Sequence, residues 1–180
     1  MTEPTVPPPL DGPATSGLPA LEAWNRAQAE QAERLLRSEV CACVAWTTAV
    51  TAGRPYRDVA ALHAASDAAV RGMTTADLAE AMDGHARIGQ PRPGDAHGHL
   101  EQSGARDTTD AVRQALAEGN REYERRFGQV FLVCATGRSA EEMLADLRER
   151  LGNSMEVERE RAREELRKIN LLRLDRMVAR

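Results

Sequence analysis

The stretch MEVERERAREELRKINLLRLDRM, residues 155–177, predicts a long amphipathic helix at the end of the chain. Its apolar side chains recur at intervals of three or four residues, as on one face of an α-helix: Ala162, Leu166, Ile169 and Met177. Four arginines lie among glutamates and are expected on the solvated face of this helix: Arg159, Arg161, Arg163 and Arg167.

Arg173 is an exception to this separation of apolar and charged faces, because it falls on the apolar face four residues beyond Ile169. An arginine directed at a protein core is costly unless it meets an acid or an anionic ligand. Its stem can also pack while its guanidinium reaches solvent. The sequence leaves both alternatives open.

Capping signals predict where other helices begin. In a capping box, a Ser or Thr at the helix start exchanges hydrogen bonds with an acid three residues later. Thr74 with Asp77, and Ser139 with Glu142, fit this pattern. Gly128 is expected to end a helix that spans about residues 109–127.

Other stretches predict structure less directly. Residues 40–52 are apolar nearly all round, which indicates a buried helix. In the helix predicted before it, Leu35 and Leu36 are expected on the inner face. Residues 130–135 read locally as a strand, but no obvious pairing partner exists elsewhere in the chain. We therefore expect an extended segment or a helical turn there.

Length and composition predict one all-α domain. The chain has 180 residues, of which 42% are hydrophobic but only 3% aromatic, so its core must be built mainly from Ala, Leu and Val. Ala and Leu favour helices, whereas the aromatic residues that favour strands are scarce. We expect a single-domain helical bundle of about seven to nine helices in residues 18–180. Residues 1–17 are rich in Pro, Gly and Thr and are expected to form a disordered extension.

The net charge and the cysteine content limit the possible functions of the protein. The formal net charge of -4, with acids and bases interspersed, argues against a protein that binds nucleic acid through phosphate contacts. The three cysteines, Cys41, Cys43 and Cys134, lie in apolar runs with no histidine at ligand spacing, which indicates reduced thiols and no metal site. No apolar run is long enough to span a membrane, and no secretory signal is apparent, so we expect a cytoplasmic protein.

The stretch GHARIG, residues 84–89, contains the first candidate for chemistry. His85 follows the apolar face of a predicted helix, and histidine imidazoles ordinarily titrate near pH 6.5. A long Pro/Gly-rich loop is expected from about residue 90 to residue 106, and it contains Glu101 and Gln102. A histidine and a carboxylate on adjoining segments are a starting point for acid–base chemistry, although a histidine beside an apolar face often serves only in packing.

An ordered set of short motifs runs along the chain: His85-Ala86-Arg87-Ile88-Gly89, Glu101-Gln102, Asn120, Tyr123, Phe127-Gly128, the run FLVCATGR at 131–138, and Arg173-Leu174. The set resembles the family of 2-oxo-4-hydroxy-4-carboxy-5-ureidoimidazoline (OHCU) decarboxylases. That family catalyses the last step from urate to (S)-allantoin. The resemblance extends from about residue 18 to residue 177, in order and with compatible spacings.

The resemblance implies a role for each matching residue. His85 is implied to be the catalytic acid or base, Glu101 its acidic partner, and Arg173 the arginine that grips the ureidoimidazoline substrate. It also implies a substrate pocket that includes Ala86, Gly98, His99, Leu100, Gln102, Leu132, Val133, Cys134, Ala135 and Thr136. It further implies a homodimer that needs no cofactor. The chain has Ala86 where the family has proline, and Gly98 where serine is frequent. These departures are expected to affect affinity and stereocontrol more than the type of reaction.

Three other functions stay open at this point. Ala86 and Gly98 suggest a catalytically impaired relative that binds a ureide or a partner protein, although His85, Glu101 and Arg173 are all retained. A helical regulator of nucleic acid conflicts with the acidic net charge and lacks a basic recognition helix. A purely structural bundle leaves the inward Arg173 unexplained.

Overall fold

The computed structural model describes residues 19–90, 96–105 and 108–179. Within these ranges the chain forms nine α-helices and no strand, which confirms the predicted all-α class. The helices are α1 (Pro19–Arg26), α2 (Ala29–Glu39), α3 (Val44–Ala52), α4 (Val59–Arg71), α5 (Thr75–Asp83), α6 (Ala96–Glu101), α7 (Asp110–Phe127), α8 (Ala140–Arg150) and α9 (Met155–Val178). A short 3₁₀ helix covers Ser103–Ala105. The extension predicted for residues 1–17 lies outside the described residues.

The capping predictions are confirmed at α5 and α8. The Thr74 hydroxyl accepts from the backbone N–H of Asp77 at 3.2 Å, and the Asp77 carboxylate accepts from the backbone N–H of Thr74 at 2.9 Å. Ser139 and Glu142 make the same exchange at 3.2 and 2.7 Å. Gly128 ends α7 with φ of 69°, a left-handed conformation that glycine adopts without strain.

Some boundaries differ from those predicted. Residues 40–43 precede α3 and do not belong to it, because the apolar run continues through the buried turn before the helix. Of the two leucines in α2, only Leu36 is buried, whereas Leu35 is 39% exposed, since this helix buries the narrow stripe that passes through Ala32 and Leu36. The loop predicted for residues 90–106 contains α6 and the 3₁₀ helix, which are too short to show periodicity in the sequence.

Residues 130–135 belong to neither a helix nor a strand, which agrees with the prediction that no partner strand is available. Arg150 fixes part of this segment, because its Nη1 donates to the carbonyl of Leu132 at 2.8 Å. This segment closes one side of a core cluster that it shares with α7 and α8.

The long helix α9 packs its apolar face into the larger core cluster, beside α1 to α5. Its solvated face is narrower than expected. Arg163 is mostly covered, and its Nη1 donates to the carbonyls of Val70 at 2.8 Å and Met73 at 3.1 Å. The expectation of a solvated side chain is therefore wrong for Arg163, because the end of α4 and the turn after it place two backbone carbonyls within its reach. Within the described ranges, no helix is long and apolar enough to cross a lipid bilayer.

A buried ion pair joins α8 to α9. The guanidinium of Arg150 donates to Glu158 Oε1 from Nε at 2.9 Å and from Nη2 at 2.6 Å, and both side chains are at most 2% exposed. The remaining acceptors of Glu158 are also used: Tyr123 donates its hydroxyl to Oε1, and Asn153 donates to Oε2 at 2.8 Å. This saturation of the carboxylate offsets the cost of taking both charges out of water.

We predict that Arg150→Met destabilises the protein by about 3–5 kcal/mol, because it leaves Glu158 buried without its cation. The free energy of unfolding, measured by urea titration, checks this. Arg148→Met is the matched control, since Arg148 lies on the exposed side of the same helix. Losses of similar size in the two variants would contradict this account of the ion pair.

Candidate active site

His85 lies directly after the C-terminal end of α5 and is 8% exposed. Its backbone N–H donates to the carbonyl of Met82 at 2.9 Å, and its ring Nδ1 lies 3.0 Å from the carbonyl of Ala81. Because a carbonyl oxygen can only accept, Nδ1 carries a proton in this contact. The neutral ring therefore has its basic lone pair on Nε2, so the backbone of α5 sets the tautomer.

Glu101, the last residue of α6, forms a two-point ion pair with Arg173 of α9. Arg173 donates to Glu101 Oε1 from Nε at 2.8 Å and to Oε2 from Nη2 at 2.9 Å, with both side chains about nine-tenths covered. Arg176 adds a third contact to Oε1 at 3.0 Å. Of the two alternatives left open by the sequence, Arg173 thus takes the one in which an inward arginine meets an acid.

The ion pair fixes the charge of Glu101. Burial raises the pKa of this carboxyl, but the hydrogen bonds and charge of Arg173, with smaller contributions from Arg176 and His85, outweigh burial and hold the pKa below its usual range. Glu101 is therefore a carboxylate near neutral pH and a poor source of protons. The effect of His85 on this pKa indicates that Glu101 and His85 are close enough to interact.

Arg173 retains hydrogen-bonding capacity. Its Nη1 donates to the carbonyl of Val40 at 2.9 Å, so three contacts use three of the five N–H donors that a guanidinium offers. With respect to the residues that the structure describes, two N–H groups on the terminal nitrogens have no acceptor. Held on two sides, the guanidinium can present these donors to an anion or a carbonyl without losing further side-chain freedom.

The segment after His85 is held by contacts from two directions. Gln102 accepts from the backbone N–H of Gly89 at 2.8 Å, and Asn120 of α7 donates to the carbonyl of Ile88 at 2.9 Å. Arg87 pairs with Glu124 through two hydrogen bonds of 2.5 and 2.7 Å. These contacts fix the chain beside Ala86, where the family's usual proline is absent.

A pocket of about 120 Å³ brings His85 and Arg173 together. Its other walls come from the end of α2, the turn that follows, the end of α5 and the first turn of α6: Arg37, Ser38, Val40, Ala42, Ala81, Gly84 and His97. Glu101 lies directly behind Arg173 and does not line the pocket. A larger depression of about 320 Å³, between Gln90 and α7, offers only the paired charges of Asp110 and Arg113.

Some of the other predicted pocket residues lie near Glu101, but none of them lines the pocket of His85 and Arg173. Gly98 and Gln102 are buried close to Glu101, whereas His99 and Leu100 are exposed and do not line the pocket. The segment 132–136 does not line it either: Leu132, Val133 and Ala135 are buried, Cys134 is half-buried and Thr136 is exposed. The backbone N–H of Cys134 donates to Glu165 at 2.8 Å, so that donor is already used.

Sequence reasoning missed Arg176, Val40 and His97. Arg176 had a signal, since it lies three residues after Arg173 and so shares its side of the helix. Val40 contributes a backbone carbonyl, which no sequence pattern identifies. His97 was overlooked because it lies in a stretch that the sequence presents as a loop.

Three side chains are close enough together to hold a metal ion. Cys43, directly before α3, and Asp77 and Glu80 of α5 place their ligand atoms within 4.8 Å of one another. Both carboxylates already serve the helices. Asp77 belongs to its capping box, and Glu80 accepts from the backbone N–H of Val44 at 3.3 Å. Burial raises the pKa of the Cys43 thiol, which disfavours the thiolate that a metal would need.

Comparison with protein families identifies one that spans most of the chain. The family described as OHCU decarboxylase matches residues 25–175. Among solved structures, the crystal structure of an OHCU decarboxylase in the presence of (S)-allantoin superposes with a TM-score of 0.70 at 27% sequence identity, covering 86% of this chain and all of that one. An (S)-allantoin synthase, at 17% identity and a TM-score of 0.69, shares the fold over 87% of this chain and 53% of its own.

Two curated relatives are similar in sequence. The uric acid degradation bifunctional protein TTL of Arabidopsis thaliana is 36% identical over 132 residues, which are 69% of this chain and 41% of that protein. A 2-oxo-4-hydroxy-4-carboxy-5-ureidoimidazoline decarboxylase of Amia calva is 43% identical over 72 residues, 40% of each chain. The aligned part therefore spans about two-fifths of the length of these relatives.

We predict that Glu101→Gln lowers the free energy of unfolding near pH 7 and matters less in acid. Because the pKa of Glu101 is lowered in the folded state, its contribution is present above the ordinary glutamate pKa of about 4.5 and is lost as the pH falls through the lower folded-state value. Urea unfolding of both proteins at about pH 7 and about pH 4 measures the difference.

The control for this experiment is Glu122→Gln, which changes an exposed carboxylate on α7. Other carboxyls with lowered pKa values, such as Glu124 and Glu164, are present in every variant and cancel in the comparison. A Glu101→Gln penalty that stays constant with pH would show that the ion pair does not stabilise the fold.

Proposed function

Because the chain belongs to the OHCU decarboxylase family, we propose that it decarboxylates 2-oxo-4-hydroxy-4-carboxy-5-ureidoimidazoline to (S)-allantoin. This is the last step in the conversion of urate to allantoin. The observation that supports it most is the pocket that unites the imidazole of His85 with the guanidinium of Arg173. A proton-transfer group beside a fixed cation suits an anionic substrate that loses carbon dioxide.

The chemistry of this substrate explains why no cofactor is needed. Its carboxylate sits on a carbon next to a ring C=N bond, so the electron pair of the breaking C–C bond moves into that imine. The ring nitrogen and the ureido-bearing carbon each gain a proton, while the hydroxyl group gives one up. The net uptake of one proton balances the conversion of a carboxylate into neutral carbon dioxide.

In this proposal His85 accepts the hydroxyl proton. Its Nε2 is the basic nitrogen, because the contact with the Ala81 carbonyl keeps the proton on Nδ1. The ring is also buried and is held by the end of α5, so it can be positioned against one face of the substrate. Positioning of this kind supplies much of the rate when both reacting groups are fixed.

Arg173 binds the substrate through the two N–H groups that its protein contacts leave over. Glu101 acts through Arg173: as a carboxylate it holds the guanidinium in place and balances its charge. This assigns Glu101 a positioning role and differs from the role of acidic partner to His85 that the resemblance implied. The contact with the Ala81 carbonyl of α5 sets the tautomer of His85.

We propose that the remaining predicted contacts form when substrate enters. Ala86 directly follows His85, and Gly98 and Gln102 are buried close to Glu101. Backbone N–H groups of the segment 132–136, apart from that of Cys134, would then hold the ring carbonyls. We also propose that the protein acts in the cytoplasm and as a homodimer. No specific observation favours a catalytically impaired binding protein.

The direct test generates the unstable substrate in place from urate, with urate oxidase and hydroxyisourate hydrolase. Circular dichroism then follows the rate and handedness of allantoin formation. We expect formation of (S)-allantoin faster than the spontaneous decay. A rate and a racemic product equal to those without the protein would contradict the proposed function.

We further predict that His85→Gln loses at least about 10²-fold in kcat, because the substitution removes the basic nitrogen. Far-ultraviolet circular dichroism and the free energy of unfolding should stay close to those of the wild type. His63→Gln, at the interface of α4 and α9, is a matched control and should retain activity. Wild-type turnover in His85→Gln would rule out the role given to His85.

A further inference from the structure

The pocket contains a second imidazole. His97, in the first turn of α6, lines the same pocket as His85 and Arg173, although it comes from a different element. Its side chain is 23% exposed, whereas His85 is buried. We propose that His97 is a catalytic residue that contacts the substrate and supplies the proton taken up from solvent during decarboxylation. This inference rests on the proposed function.

The reaction requires proton transfers that two separate groups can share. One proton leaves the hydroxyl group, and two protons enter at the ring nitrogen and the ureido-bearing carbon. A single buried imidazole would accept the first proton and return it, but this leaves the net uptake of one proton without a source. A second group that reaches both the substrate and the solvent can supply the additional proton.

The other lining residues do not supply this proton. Arg37 and Arg173 keep their protons at any physiological pH, and the Ser38 hydroxyl donates to the carbonyl of Leu35 at 3.1 Å. Glu101 is held as a carboxylate behind Arg173. Among the described residues that line the pocket, the two imidazoles are therefore the groups suited to proton transfer near neutral pH.

The surroundings of the two rings assign them opposite tasks. His97 Nε2 lies 3.7 Å from Glu39 Oε2 at the end of α2. Arg37 of α2, Arg173 of α9 and His85 are the other charged or titratable groups lining the pocket. The partly exposed His97 is reloaded from solvent and donates, whereas the enclosed His85 accepts.

The test uses His97→Gln and His97→Ala in the full-length protein, with substrate generated from urate. We expect kcat to fall by about 10²-fold in both variants while KM changes much less, because the transferred proton matters in the transition state and not in binding. Added imidazole should restore turnover in His97→Ala but not in His97→Gln, since only the alanine variant leaves room for it.

Glu39→Gln separates proton transfer from a merely structural role. This variant removes the partner of His97 but keeps the imidazole, so it should change the pH profile of kcat and retain turnover at its own optimum. A loss equal to that of His97→Gln at that optimum, together with no rescue by imidazole, would overturn the assignment. The wild-type rate, measured first, distinguishes this result from failure of the proposed function itself.

Discussion

The two-point contact between Glu101 and Arg173 is the interaction on which the site depends. It joins α6, which is only six residues long, to the longest helix of the protein. Because Arg173 also donates to the carbonyl of Val40, the same guanidinium fixes the turn after α2. Three walls of the pocket are thus aligned by one side chain. Loss of the contact would release α6, and with it His97, from the rest of the site.

The electrostatics of the pocket follow from the same pair. The positive charges of Arg173 and Arg176 exceed the single negative charge of Glu101, and Arg37 adds another cation at the rim. An anionic substrate is therefore attracted to a place where the neutralising carboxylate is turned away from it. The buried pair of Arg150 and Glu158 uses similar chemistry for a different purpose, since its recorded contacts join α8 to α9 and to the carbonyl of Leu132.

Local signals accounted for much of the fold. The capping boxes at Thr74 and Ser139 are short-range hydrogen bonds, and the helical period placed Arg173 on the inward face of α9. Long-range contacts were beyond such signals. Leu35 and Leu36 are equally apolar, and only the packing of α2 decides which of them is buried. For Arg163, the carbonyls that hold it belong to the end of α4 and the turn after it, 93 and 90 residues earlier.

The site was predicted in part. The resemblance pointed to His85, Glu101 and Arg173 and implied a role for each. The positioning role that we propose for Glu101 rests on its pairing with Arg173, which no sequence pattern shows. His97 could not be singled out, because its relevance comes only from sharing a pocket with His85.

A crystal structure of the protein with (S)-allantoin tests the central claim most directly. We expect the ureide between His85 and His97, with an oxygen within hydrogen-bond distance of the terminal nitrogens of Arg173 and with Glu101 still paired behind it. Allantoin bound instead in the depression beside Gln90 and Arg113, with the pocket of His85 and Arg173 unused, would contradict the account.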